Sequence, residues 1–254
     1  MGSFIIDSIG FSASHAMAAV LRGQPKFCVT HGSKNFKEGS RIGVNNLSIC
    51  DFISQMRDAE ETHDHCVAIH CLYDPATLAK EAKKNEVAFY GLCRKDIRGQ
   101  ILSGFFWALN KFLYGDPHMG QQAFAVLRDQ AKTFVKLNIS PNYMSALMFY
   151  SLQRVVGFNL KLAENTEGLI FMEDFLSRPT EFISLLCSYP INDEKIVIPK
   201  TISHKKRSSQ HEFLVDHEET LDTLMTAVNI SYQGNQIVCS EIYELIAEKS
   251  LLNP

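Results

Sequence analysis

Short apolar runs alternate with longer stretches of helical periodicity along most of this chain. The runs are too short for core helices and end at glycine or polar residues, which favours strands. They cover residues 4–8, 27–30, 66–71, 87–92 and 169–172. Strands joined through helices need right-handed crossovers. The sequence therefore predicts a doubly wound α/β fold, with a mostly parallel central sheet of about five strands and helices on both faces.

The chain has 254 residues, 46% of them hydrophobic, which suffices for one α/β domain with a substantial core. We therefore expect a single domain over residues 1–254. Its core would span residues 1–190. Residues 191–254 would add an irregular basic loop and a C-terminal helix over residues 240–251.

Charge and cysteine usage exclude several classes of protein. With 25 basic and 28 acidic side chains, the chain lacks the basic excess typical of proteins that bind duplex nucleic acid. The seven cysteines are scattered singly, which predicts neither a disulfide framework nor a zinc ribbon and fits a reducing cytoplasm. No basic residue precedes Arg22 and no apolar run reaches membrane-spanning length, so we expect no signal peptide and no membrane partner. The oligomeric state cannot be read from the sequence.

The first candidate site lies between the first predicted strand and the first predicted helix. Its residues are Gly10, Phe11, Ser12, Ala13, Ser14 and His15. In an open parallel sheet, ligands bind beyond the carboxyl ends of the strands, where a helix N-terminus offers unpaired N–H groups to an anion. The Gly-Lys-Ser/Thr signature of nucleotide triphosphatases is absent, which disfavours ATP hydrolysis of that type. The alternative is an ordinary turn that Ser12 caps.

A second candidate site begins just past the fourth predicted strand. Arg94 follows that strand, and Ser103 lies two turns into the next helix. A forked guanidinium and a hydroxyl can converge on one phosphate.

Together these features resemble the sulfotransferases that use 3′-phosphoadenosine-5′-phosphosulfate (PAPS). Residues 94–103 are most similar to the bacterial branch that includes the trehalose-type enzymes, and residues 10–17 resemble the family's 5′-phosphosulfate loop. The segment LIFMEDFLSRP, residues 169–179, resembles a late strand of the family. The resemblance covers roughly residues 4 to 190 and keeps the family's order of motifs.

The resemblance implies transfer of a sulfonate from PAPS to a hydroxyl of a small-molecule or carbohydrate acceptor. The loop of residues 10–15 would hold the 5′-phosphosulfate, while Arg94 and Ser103 would hold the 3′-phosphate. A late basic run containing Lys205 and Arg207 would help to bind the donor. This chemistry requires no metal.

One position departs from the family pattern. Phe11 stands where the family usually carries a lysine or arginine just before the loop core. Either another cation substitutes for it or the protein is a weak or inactive relative that binds a nucleotide or a partner. The candidate substitutes are Lys34, Lys37, Arg41 and the basic run at residues 205–207. A phosphotransferase of nucleoside-kinase type is a further alternative.

Sulfonate transfer also needs a base for the acceptor hydroxyl. His70, at the end of the third predicted strand, is the first choice, and His31, at the end of the second, is the other candidate. For each, a partly buried histidine bonded to backbone is the structural alternative. His63, His65 and His70 lie at the edges of the third predicted strand without a nearby carboxylate cluster, so we expect no metal site there.

Overall fold

A computed structural model describes residues 2–36, 47–187 and 217–252. Its main feature is a five-stranded sheet of order β2-β3-β1-β4-β5, in which every strand pair is parallel. The strands are β1 Ser3–Asp7, β2 Phe27–His31, β3 His65–Ile69, β4 Ala88–Cys93 and β5 Leu169–Phe171. The predicted fold class is confirmed, and each predicted strand is found within one or two residues at either end.

Helices connect and flank these strands. They are α1 Ser14–Arg22, α2 Ile49–Ala59, α3 Pro75–Lys84, α4 Ile97–Leu113, α5 Pro117–Lys136, α6 Tyr143–Asn165, α7 Met172–Ser177, α8 Pro179–Cys187, α9 Glu218–Ala227 and α10 Ile242–Ala247. The local sequence explains where several of these helices begin. Asp74 accepts a hydrogen bond from the Thr77 N–H, and Pro75 occupies the first helical position of α3.

The described residues form two compact units. One contains residues 2–95, 161–187 and 246–252, and with them the whole parallel sheet; the other contains residues 96–160 and 217–245. This division does not test the expected single domain, which stays a prediction.

The core of the first unit lies against the central strands. Every residue of β1, β3 and β4 is buried, so these strands read as continuous apolar runs rather than alternating ones. Met17 and Leu21 of α1 and Phe182 of α8 pack in the same cluster. Because these strands are buried throughout, their apolar runs were enough to predict the sheet from the sequence.

The late part of the chain differs from the prediction. The expected helix over residues 240–251 is a short 3₁₀ turn, Cys239–Glu241, followed by the brief α10. Before it lies an antiparallel hairpin, β6 Asn229–Tyr232 and β7 Asn235–Val238, that the sequence analysis missed. Gln233 and Gly234 both have positive φ angles, as a tight hairpin turn requires. Within the described residues, no helix combines the length and hydrophobicity needed to cross a bilayer.

Gly91 allows β4 to pack closely against β5. A Cβ added there would lie 2.5 Å from Cδ2 of Leu169 and 3.0 Å from Cβ of Leu162. We predict that Gly91→Ala lowers the free energy of unfolding by about 1–3 kcal/mol, because the added methyl overpacks the core. Chemical denaturation measures this change.

Gly157→Ala is the matched control. Gly157 lies inside α6, and a Cβ added there meets no atom within 4 Å. The substitution should stabilise the protein by about 1 kcal/mol, because alanine is the better helix former. Equal effects of the two substitutions would contradict the described packing.

Candidate active site

Sheet topology brings several predicted site residues to one edge. β1 lies between β3 and β4, with Ile6 paired to Ile69 and Asp7 paired to Gly91. The loop after β1, His70 after β3 and Arg94 after β4 therefore emerge at the same carboxyl edge. β2 pairs with β3 in register, so that His31 lies beside Ile69 at this edge too. The topology thus groups these four strand-end features at the place where doubly wound folds bind ligands.

The β1–α1 loop has an unusual backbone. Gly10, Phe11 and Ala13 have φ angles of 93°, 61° and 54°. Residues of mixed handedness turn successive N–H groups toward one side, which creates a concave surface suited to anions. Helix α1 begins directly after Ala13, and its first N–H groups have no carbonyl partners within the helix. The loop and the helix N-terminus together form a candidate anion site.

Two serines line this loop. Ser12 is fully buried, and its hydroxyl makes no hydrogen bond within the described residues. Buried hydroxyls are rarely left without a partner, so this one is an available donor for a ligand. No described side chain caps α1, so the alternative of an ordinary turn capped by Ser12 is wrong.

Three imidazoles stand in a row beside the loop. The rings of His15 and His31 are 4.0 Å apart between centroids, and those of His31 and His70 are 5.7 Å apart. Nε2 of His31 lies 3.0 Å from the Ser14 hydroxyl, which is itself buried. Both histidines predicted as bases are therefore brought to the loop, and His15, predicted as a donor ligand, joins them.

The two candidate bases differ in their chemistry. Burial, reinforced by His15, His70 and Arg22, lowers the pKa of His31 from 6.5 to about 3, which makes it a weak proton acceptor. Nδ1 of His70 lies 2.8 Å from the Ser8 carbonyl oxygen, which can only accept a hydrogen bond. Nδ1 therefore carries the proton in neutral His70, and Nε2 is the basic nitrogen. This geometry favours His70 over His31 as the base.

Asp7 is a feature of the site that the sequence analysis missed. It is the last residue of β1, it is fully buried, and its Oδ1 accepts hydrogen bonds from the N–H groups of Ser8 and Leu72. Burial raises its pKa from 3.8 to about 6, against the opposing effect of these N–H donors. The polar residue at the end of the apolar run FIID was the signal that could have identified it.

Arg94 follows β4 and is mostly buried. Its Nε lies 3.7 Å from a carboxylate oxygen of Glu173, in the first turn of α7. Glu173 also accepts the N–H of Lys95, whose ammonium pairs with Asp174. The two acidic residues therefore anchor the segment after β4. Arg94 would meet an anion with its charge partly compensated.

The remaining predicted residues make other contacts or lie outside the described residues. Ser103 belongs to the second unit, where its hydroxyl donates to the Gly99 carbonyl oxygen at 2.8 Å. Lys34 places its ammonium over the ring of Tyr73. The other predicted cations, Lys37, Arg41 and the basic run at residues 205–207, lie outside the described residues.

Two further features of the described residues, their possible metal ligands and a cavity, bear on where the site lies. No group of three or more histidine, cysteine, aspartate or glutamate side chains is placed to hold a metal ion among them. A cavity of about 530 Å³ lies at the opposite end of β4, lined in part by Ala88, Phe89 and Glu167. It contains none of the predicted site residues, so the loop edge remains the candidate site.

Fold and site together define a doubly wound α/β protein with its candidate site at the carboxyl edge of the sheet. No protein-family profile matches the chain, and no curated protein matches it by sequence. The solved structures that show likeness to it include two sulfotransferases. Mouse sulfotransferase SULT7A1 complexed with PAP is 14% identical, with a TM-score of 0.44, over 94% of this chain and 71% of that one. A sulfotransferase from Alicyclobacillus acidocaldarius is 12% identical, with a TM-score of 0.39, over 88% and 95%. Sequence identities and TM-scores this low decide neither the family nor the activity of this chain.

The raised pKa of Asp7 predicts a pH-dependent stability. Its carboxyl contributes stability below pH 3.8 that is lost as the pH rises through about 6, because the folded state then buries a charge. The difference corresponds to about 3 kcal/mol. We predict that Asp7→Asn gains stability relative to the wild type by about this amount between pH 4 and pH 7.5.

Urea denaturation of both proteins at each pH measures this difference, and subtraction removes the contribution of the other titrating groups, His31 included. Asp58→Asn, which changes an exposed carboxylate of α2, is the control. A difference between Asp7→Asn and wild type that stays constant with pH would refute the assignment.

Proposed function

We propose that this protein binds PAPS at the β1–α1 loop and transfers its sulfonate to an acceptor hydroxyl. One observation carries the proposal: a buried Ser12 hydroxyl without a partner among the described residues lies in a loop of left-handed residues that opens α1. N–H donors, a hydroxyl and the positive end of a helix dipole are what a phosphosulfate needs. The proposal is also supported by the strand order, which brings this loop to the edge of the sheet where doubly wound folds bind ligands.

The proposed reaction assigns a role to each side chain at the edge. The acceptor oxygen forms its bond to sulfur as the bond from sulfur to the phosphate oxygen breaks. The acceptor proton passes to Nε2 of His70, whose ring the Ser8 carbonyl oxygen holds in place. His31 stays neutral and orients the Ser14 hydroxyl.

Arg94 is proposed to bind the 3′-phosphate. A guanidinium can bind a phosphate through two parallel hydrogen bonds, and Arg94 lies at the edge that β1 and β4 share. Binding would require the phosphate to compete with Glu173 for this side chain. Contributions from Ser103, Lys205 and Arg207, and the similarity to the bacterial branch that includes the trehalose-type enzymes, remain predictions from the resemblance.

A second function is favoured by Phe11. With an aromatic side chain where a cation is expected, the loop can hold a nucleotide yet stabilise poorly the charge that develops on the leaving phosphate. On this alternative the protein is a nucleotide- or partner-binding module without transfer activity.

The first prediction concerns binding of 3′-phosphoadenosine-5′-phosphate (PAP), the product of the donor. In calorimetric titration we expect micromolar affinity for PAP and much weaker binding of ATP. Arg94→Ala should weaken PAP binding at least about tenfold, because a charge-assisted hydrogen bond is lost. The matched control is Arg57→Ala, which removes an exposed arginine of α2 that pairs with Glu60. Absence of PAP binding, or preference for ATP, would contradict the proposal.

The second prediction separates the two functions. Release of PAP from PAPS is followed with a panel of sugar, lipid and small-molecule alcohols. Transfer predicts acceptor-dependent release that His70→Gln abolishes while PAP affinity is kept. Binding of PAP without release for any acceptor, including in Phe11→Arg, would favour the binding module.

A further inference from the structure

The candidate anion site lacks permanent positive charge within its loop. Residues 8–15 contain no lysine or arginine. Arg94, at the same edge, lies against Glu173, and the Lys34 ammonium lies over Tyr73. A phosphosulfate donor carries several negative charges, which hydrogen-bond donors alone offset weakly. The histidine row is the remaining set of described groups that touches the loop and can become positive.

The contacts of the three histidines indicate which of them can carry a positive charge. His31 is enclosed by His15 and His70, and burial is the main cause that holds it neutral. His70 is bound through Nδ1 to the Ser8 carbonyl oxygen, and its proposed task is to receive a proton on Nε2. His15 is exposed and lies in the first turn of α1, next to the N–H groups that face the anion site. Its ring lies 4.0 Å from that of His31 between centroids, with the two ring planes tilted by 41°.

We infer that protonated His15 supplies the positive charge that the loop lacks, so that donor binding is coupled to uptake of a proton at this side chain. The inference rests on the proposed function and assigns His15 a specific part in it. Imidazole changes its charge between pH 5 and 8, whereas lysine or arginine in its place would not. Because coupling is reciprocal, the bound anion stabilises the imidazolium as the imidazolium stabilises the anion.

Other charged groups around the row must be separated from His15. His31 and His70 face it from the ends of β2 and β3, and Arg22, at the far end of α1, acts on His31. Asp7 lies beneath the loop, and loss of its charge on acidification would also favour an anion. A test therefore needs variants of both Asp7 and His15.

The experiment measures the affinity for PAP by calorimetry at intervals from pH 5.5 to pH 8. For the wild type we expect affinity to fall by up to about tenfold for each pH unit, the limit for one coupled proton. His15→Gln should bind weakly at pH 5.5 and lose this decline, keeping only the dependence that the ligand's own phosphates produce. His15→Lys should bind PAP without the decline. Asp7→Asn should retain the decline.

His63→Gln is the matched control, because His63 precedes β3 and so lies at the opposite end of that strand from His70. It should behave as wild type. A decline unchanged in His15→Gln, with PAP still bound, would overturn the inference and leave the proposed function standing. No PAP binding at any pH would overturn the proposed function and the inference with it.

Discussion

The parallel pairing of β1 with β3 on one side and β4 on the other is the constraint on which the candidate site depends. It sends the chain out of the sheet at one edge three times, after Asp7, after Ile69 and after Cys93. The left-handed residues of the β1–α1 loop then turn backbone donors toward that edge, where α1 begins. Without this register, the loop, His70 and Arg94 would have no reason to meet.

Among the described residues, the charges at this edge are partly offset by one another or held neutral rather than strongly positive. Asp7 is buried beneath the loop with a raised pKa, His31 is held neutral, and Arg94 faces Glu173. Such an edge suits a ligand whose negative charge is met by backbone N–H groups, a hydroxyl and a group that gains a proton on binding. The same balance explains why a change of pH should alter both the stability of the fold and the affinity of the site.

Much of the fold could be predicted because buried parallel strands are continuous apolar runs, and β1, β3 and β4 are buried throughout. The hairpin β6–β7 escaped this reasoning because its strands are short, polar and largely exposed. The loop of residues 10–15 could be located from its position between strand and helix. The pairing of Arg94 with Glu173 could not, since those residues are far apart in sequence and meet only through the pairing of β4 with β5. Nor could the contact between the His15 and His31 rings, which depends on how α1 packs beside β2.

The most direct test of the account is local hydrogen exchange at the loop. Amide exchange across residues 8–17 would be measured by mass spectrometry with and without PAP, under conditions where the rest of the protein is unchanged. If the loop binds the phosphate, N–H groups of residues 12–15 become hydrogen-bonded and this segment should exchange several-fold more slowly. Unchanged exchange there, or slowing confined to a different edge of the sheet, would contradict the assignment of the loop as the donor site.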